Sequence, residues 1–429
     1  MSKSYFRDFR TCNPLRQAFR RIEQNANRSR SKETRDSVYE FGRNLERNLK
    51  RIERQIREGK FQFKAGIGIA IKKKSGGHRP LVIAPTESRV VQRSLLNTLT
   101  NHPEIGKLLS TPTSFGGIRN RGVREAIGAV HNATRKGNYY YIRSDIQSFF
   151  TKVSKSEVTS KISEIIPEAA FVDFLGRALE VELENVGTNS EHRDIFPLYD
   201  QGLAQGSCLS PLAANIALNK FDIEMNSGDI NCFRYIDDFV ILAPSQKAAN
   251  AGFKRARKLL AESSLDAYEP GIGSEKAARG RIQEGLNFLG CDIDLVRIRP
   301  SRAATKALIS NIELTINRSK VALKEPPDLP RRDIDFAATL NTISNILRGW
   351  GNQYAFCNDQ SLMGRTDAKV DKILNGYLQF FFSKKGGASP KEFRRMLGVW
   401  MLTDSNQQSI ISTTDKAKGA KGAKGANLD

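Results

Sequence analysis

The chain has 429 residues, 39% of them hydrophobic, and its 68 Lys plus Arg against 46 Asp plus Glu leave a net charge of +22. This apolar content suffices for two or three subdomains with their own cores, which excludes a chain disordered throughout; the charge attracts a polyanion in a salt-dependent way, making nucleic acid the leading partner. No run of about 18 apolar residues offers a membrane span, and five widely spaced cysteines (Cys12, Cys208, Cys232, Cys291, Cys357) without a CxxC pair speak against a disulfide framework and a zinc site.

The first residues, MSKSYFRDFRTCNPLRQAFR, hold no apolar leader core or small-residue cleavage signal, so a cytoplasmic protein with reduced thiols is expected. Over residues 37–58, Phe41, Leu45, Leu49, Ile52 and Ile56 fall at spacings of four, four, three and four, which predicts one amphipathic helix. Its other face is strongly basic, a pattern that serves a solvated surface or a nucleic-acid contact equally well. Between Lys60 and Pro85, FQFKAGIGIAIKKKSGGHRPLVIAP alternates, breaks at Ser75-Gly76-Gly77 and resumes, as a β-hairpin does. Residues 88–99 and 122–136 follow as helices, and NYYYIRSDIQSFF reads as a strand running into an acidic residue.

Residues 156–200 have helical periodicity with Glu, Asn and Gly interruptions, predicting a pair of helices plus a loop. Small residues before PLAANIALNK predict a Gly-rich turn opening a helix, and CFRYIDDFVILA predicts two short strands joined tightly through an Asp pair. The Pro-rich EPPDLPRR at 325–332 marks a boundary, 334–356 and 370–381 look helical, and three KGA units at 418–426 form a run that cannot build a core. The chain thus divides into a basic helical N-terminal extension (1–60), a mixed α/β body (61–296), a helical lobe (297–405) and a disordered Lys/Gly-rich tail (406–429).

Asp237 and Asp238 are adjacent carboxylates inside an apolar run. Two like charges there are costly unless a cation or solvent compensates them; the competing reading is an exposed β-turn, where Asp is common. Asp145 ends a second apolar strand, and the two strand ends meet if the strands are neighbours in one sheet. Carboxylate oxygens suit Mg²⁺, and a two-ion site stabilises the attacking and leaving oxygens of an in-line displacement at phosphorus. The four histidines have no HExxH-like spacing and are assigned no metal role.

These segments, taken in order, resemble the reverse transcriptase family. Tyr235-Ile236-Asp237-Asp238 looks like its YxDD box, DIQSFF from Asp145 to Phe150 like its first carboxylate motif, and AQGSCLSP, with Gln205-Gly206 and Ser210-Pro211, like its QG…SP motif. The lysine run with Arg79-Pro80 resembles the fingers hairpin, SFGGIRNRG and LNFLG the flanking motifs, and RGWGNQY at 348–354 the thumb signature of group II intron-type enzymes. The resemblance implies an α+β right-hand polymerase, with fingers and palm built from an antiparallel sheet flanked by helices over 61–296 and an α-helical thumb over 297–405.

It implies that Asp145, Asp237 and Asp238, with Ile146 beside them, bind two Mg²⁺ ions, for which Mn²⁺ can substitute. Phe150 falls where the family has its steric gate against a ribose 2′-hydroxyl, although plain core packing also accounts for a ring there. Lys73 and Arg79 would neutralise the incoming dNTP, whose site Ile146 also borders; a hairpin-tip cation touching template phosphates is the alternative. Gln205 and Gly206 would let the backbone approach nucleotide and template base. Tyr235, with Ile236, would support the hairpin at the primer terminus, and Lys276 would protonate the leaving pyrophosphate unless it is merely solvated. Trp350 and Tyr354, four apart on one helix face, are expected to pack the thumb.

No Cys/His-rich nuclease module follows the thumb signature, the YxDD box carries Ile at its second position, and retron inserts are not found. What remains resembles the stand-alone, unknown-group bacterial reverse transcriptases associated with antiphage defence, which implies a dedicated noncoding RNA template, a DNA product or primer, and no membrane partner. Oligomeric state stays open. Group II intron-derived, retron-like, protein-primed or untemplated polymerases, and a non-catalytic RNA-binding scaffold, are the competing readings.

Overall fold

The computed structural model of the chain describes residues 4–29, 31–73, 76–185, 190–197, 200–271, 274–324 and 334–402. They fall into two compact units, Met1–Leu289 and Gly290–Asp429, and the α+β class read from the sequence is the one observed.

The first unit begins with four helices, α1 (Tyr5–Arg10), α2 (Cys12–Asn27), α3 (Lys32–Arg43) and α4 (Leu45–Arg57). The single helix expected over 37–58 is thus two, because Asn44 departs from helical geometry (φ −123°, ψ 38°) between them. The apolar stripe survives the break: Leu49, Ile52 and Ile56 are buried, with Phe41 and Leu45 packed against the same core. Phe9, Leu15, Phe19 and Ile22 of α1 and α2 are buried in that core as well. The Phe9 ring lies 5.9 Å from Phe171 and 5.2 Å from Phe174, centroid to centroid.

The expected hairpin follows as β1 (Ile67–Lys72) and β2 (His78–Ile83), antiparallel with Ile71 opposite Arg79. Next come α5 (Thr86–Thr100), α6 (Pro103–Leu108), β3 (Ser114–Phe115), α7 (Val123–Thr134), β4 (Tyr140–Asp145), α8 (Phe149–Lys152), α9 (Lys155–Ile165) and α10 (Ala169–Leu179). The chain continues through α11 (Ser210–Ala217), α12 (Asn219–Met225), β5 (Asn231–Tyr235), β6 (Asp238–Ala243), α13 (Gln246–Ala261), β7 (Ala277–Arg281) and β8 (Leu286–Phe288). Five of these strands form one sheet in the order β3-β5-β6-β4-β7, antiparallel except where β3 runs parallel to β5. After Asp238, β6 reads FVILA and every one of those residues is buried, as a strand covered on both faces requires. Helices α7 and α13 pack on this sheet.

The second unit holds a short antiparallel pair, β9 (Cys291–Ile293) and β10 (Ile298–Pro300), then α14 (Arg302–Ala322), α15 (Phe336–Gln353), α16 (Gln360–Ser383) and α17 (Pro390–Met396). Ser301, Asp335, Asp359 and Ser389 cap the four helices, each side-chain oxygen accepting a first-turn N–H. The Asp359 cap starts α16 ten residues before the helix expected at 370. Leu308, Ile312, Ile316, Ile343, Val370 and Tyr377 make the core between α14, α15 and α16, with Trp350 packed against it, and the Trp350 and Tyr354 rings lie 4.9 Å apart. The Pro-rich 325–332 segment and the KGA tail lie outside the described residues. Among the described residues, no helix is long and apolar enough to cross a membrane.

Candidate active site

The β5–β6 hairpin turns through Ile236 and Asp237, and strand register does the rest. Asp145 stands opposite Asp238 at the end of the β4–β6 ladder, and the Ile146 N–H donates to the Asp237 carbonyl at 2.9 Å. One antiparallel pairing therefore gathers three carboxylates that are far apart in sequence. Ile236 sits at φ +60°, where a β-branched residue is an outlier. Two hydrogen bonds fix it: its N–H donates to the Phe115 carbonyl at 3.3 Å, and its carbonyl accepts from Arg234 Nη1 at 2.8 Å.

Asp145 is buried, while Asp237 and Asp238 are half-buried. Burial pushes the Asp237 carboxyl above its usual range and the Asp145 charge adds to this, against the opposing pull of its own backbone, Lys276 and Arg79. Burial, a hydrogen bond shared with Asp145 and the charges of both other aspartates push Asp238 up to about 8. The Lys276 ammonium donates to the Asp145 carboxylate. Burial pulls Lys276 down, yet that bond and the three carboxylates outweigh it, so its net shift is upward. Desolvation and the mutual repulsion of the carboxylates thus make the ionised cluster costly without a compensating cation.

Among the described residues, no group of three or more His, Cys, Asp or Glu side chains stands in ligating geometry. The donor chemistry nevertheless fits a hard divalent cation: the set is oxygen-only, anionic and desolvated, and the one ammonium among the carboxylates sits on Asp145.

Of the remaining expected residues, Arg79 is exposed on β2 and its charge reaches Asp237. Lys73 lies exposed at the hairpin turn, its N–H donating to the Gly77 carbonyl at 3.0 Å, and no contact links it to the carboxylates. Phe149 is fully buried, whereas Phe150 is only partly covered, edge-on to Phe149 at 5.4 Å. The Phe150 carbonyl accepts from Leu203 at 2.7 Å, which ties it to the loop carrying Gln205 and Gly206. Gln205 pairs with Leu81 and its carbonyl accepts from Val82 at 2.7 Å, joining that loop to the hairpin. Tyr235 is half-buried opposite Asp238, and burial raises its phenol.

Sequence reasoning missed several neighbours. Arg143, on β4, donates to the Glu275 carbonyl at 2.8 Å and tempers the Asp238 shift. Gly117, at φ +67°, is a close approach: a Cβ there would lie 2.5 Å from Pro211 and 3.3 Å from Ile236. Arg234 is buried against Asp222. Only the glycine pair in SFGG was a readable signal, because a charged residue's burial is invisible before its partner is known.

The family model described as "Reverse transcriptase (RNA-dependent DNA polymerase)" matches residues 71–293. Among curated proteins, the COX1/OXI3 intron 1 protein of Saccharomyces cerevisiae is 22% identical over 333 residues, covering 70% of this chain and 36% of that protein. Protein YkfC of Escherichia coli is 23% identical over 279 residues, covering 56% of this chain and 70% of that protein. This chain thus spans roughly a third of the length of the yeast relative. Among solved structures, telomerase from Candida albicans with a fragment of telomeric RNA is 12% identical, with a TM-score of 0.42, covering 79% of this chain and 60% of that one.

Proposed function

This chain belongs to the reverse transcriptase (RNA-dependent DNA polymerase) family, and we propose that it copies RNA into DNA, with Asp145, Asp237 and Asp238 as its acidic centre. The observation that carries the reading is the β4–β6 register, which sets Asp145 against Asp238 and ties Ile146 to Asp237. In this proposal a primer 3′-hydroxyl attacks the α-phosphate of a dNTP, and holding the two in line removes much of the barrier. The three aspartates and the Ile146 backbone would hold two Mg²⁺ ions, or Mn²⁺ in their place, which supply charge stabilisation at the attacking and leaving oxygens. Arg79 and Lys73 neutralise the triphosphate, and Lys276 delivers a proton to the departing pyrophosphate. We assign 61–296 to fingers and palm and 297–405 to the thumb.

Phe150 selects the sugar in this reading, since its ring is partly uncovered while Phe149 serves the core. Phe150→Ala is expected to lower discrimination against ribonucleotides by roughly 10–100-fold while dNTP incorporation persists. Competing dNTP and NTP in single-nucleotide extension reads this directly, and an unchanged ratio would remove Phe150 from the site.

The RNA partner fits the exposed face of α4. Arg47, Lys50, Arg54 and Arg57 are exposed there at spacings of three, four and three, one stripe of the helix. Meanwhile Arg51 pairs with Glu87 at 3.2 Å, and Glu46 is taken by Arg16 at 2.7 Å. Replacing the four stripe cations by Ala is expected to flatten the slope of log affinity against log salt by about 3, since each phosphate contact contributes about 0.7–0.9. Filter binding across a salt series checks this; an unchanged slope would mean a merely solvated face.

For the biological role, we propose a dedicated noncoding RNA template used in antiphage defence. The identity with a yeast intron protein favours instead a group II intron-derived enzyme. Sequencing nucleic acid that co-purifies with the protein separates them: one abundant structured RNA supports the first, and intron sequence the second.

A further inference from the structure

Among the described residues of the first unit, Arg234, on β5, is the most deeply buried cation, with its side chain wholly excluded from solvent. Its guanidinium is used on every side. Nε donates to Asp222 Oδ1 at 2.7 Å and Nη2 to Asp222 Oδ2 at 2.5 Å, the two-point grip that suits a planar fork. Nη2 also reaches Ser114 Oγ at 2.7 Å and Asn215 Oδ1 at 3.1 Å. Nη1 donates to the Ile236 carbonyl at 2.8 Å. The last of these bonds does not serve the ion pair: it holds the peptide joining Ile236 to Asp237.

That peptide follows a left-handed β-branched residue, a conformation that costs free energy and persists only where the surroundings over-determine it. The bracing is distributed. Ser114 comes from β3 and Asp222 from α12, while Asn215 comes from α11 and returns its own Nδ2–H to the Gly116 carbonyl at 3.0 Å. One guanidinium thus locks two helices and a neighbouring strand to the turn. We infer that Arg234 is a positioning residue for Asp237, acting through the Ile236 peptide, and that Asp222 and Asn215 exist in this network to aim it. The inference rests on the polymerase reading for its consequence in catalysis. A lysine in its place keeps the charge but cannot hold Asp222 at two points and the Ile236 carbonyl together.

Two variants test it. Asp222→Leu combined with Arg234→Met replaces the buried pair by apolar groups, an exchange that is often neutral for stability; Arg234→Lys retains the charge. Both are compared with wild type by hydrogen exchange of the peptide spanning the Ile236–Asp238 turn, by thermal melting and by primer extension. The expected result in both is faster exchange in the turn by about tenfold or more and a kcat lower by about 10²-fold, with KM for primer–template unaltered, and in the double variant an unchanged melting temperature. The Arg234→Lys loss is also expected to shrink in an Ile236→Gly background, because glycine adopts a positive φ without strain. Unaltered exchange at the turn in a folded variant overturns the inference, as does an equal kcat loss in both backgrounds. If the double variant does not fold, Arg234→Lys alone decides through the same exchange measurement. Wild type that makes no DNA would instead refute the polymerase reading, while the exchange result still decides the role of Arg234.

Discussion

Asp237→Asn is expected to lower DNA synthesis by at least about 10³-fold, the scale set by removing one preorganised charge from a phosphoryl- or acyl-transfer centre. Asparagine preserves the shape of the side chain, and the backbone bond from Ile146 to the carbonyl of residue 237 does not depend on it. What it removes is one of the carboxylate charges that would hold a divalent cation in the proposed function. Stability should not fall, since burial already disfavours that charge in the fold; the melting temperature of the metal-free variant is expected to equal or exceed that of wild type, the usual trade between a strained site and a comfortable one. RNA affinity should also hold, because the exposed α4 cations are untouched. Primer extension, melting and filter binding on one preparation check all three, and residual synthesis near the wild-type rate would remove Asp237 from the centre.

Gly206→Ala is expected to be the most damaging small change outside the carboxylates. Gly206 sits at φ +117°, and a Cβ there would lie 2.5 Å from the Val82 carbonyl oxygen and 3.0 Å from Leu81 Cδ1. The backbone cannot yield cheaply, because Val82 donates to the Gln205 carbonyl at 2.7 Å at the same point. Strain of about 1–3 kcal/mol at a position closed to L side chains, with about 1 kcal/mol for a lost hydrogen bond, gives a destabilisation of about 2–4 kcal/mol. The loop would also part from β2, so kcat/KM for dNTP should fall as well. Gly128→Ala, inside α7 with nothing within 4 Å of the added Cβ, is the matched control and should be neutral or stabilising by up to about 1 kcal/mol. Chemical denaturation of the two variants compares them; equal stabilities would show that the Gly206 backbone has room.

The hairpin and the two strands around the Asp pair were legible because alternation and turn residues are local signals. Legible too was the meeting of Asp145 with the pair, since both end apolar strands and a shared sheet brings such ends together. The break at Asn44 was not, because the apolar stripe runs on in register across it and hides the change of axis. Residues 1–60 read as helical, but α1 and α2 were not delimited within them, because two of the five residues that α2 buries, Ala18 and Ala26, add little to a pattern otherwise dominated by Arg, Asn and Gln. Arg234 was one of 68 basic residues and carried no mark of its own; its importance follows from Asp222, Ser114 and Asn215 converging on it, which only the tertiary fold supplies.

The most direct measurement is extension of a labelled DNA primer on an RNA template of defined sequence by the purified protein, with dNTPs and Mg²⁺, followed by sequencing of the product. The expected product is DNA complementary to the template, dependent on the divalent ion and absent with Asp237→Asn. Product whose sequence ignores the template, or undiminished synthesis by that variant, would contradict the proposed function.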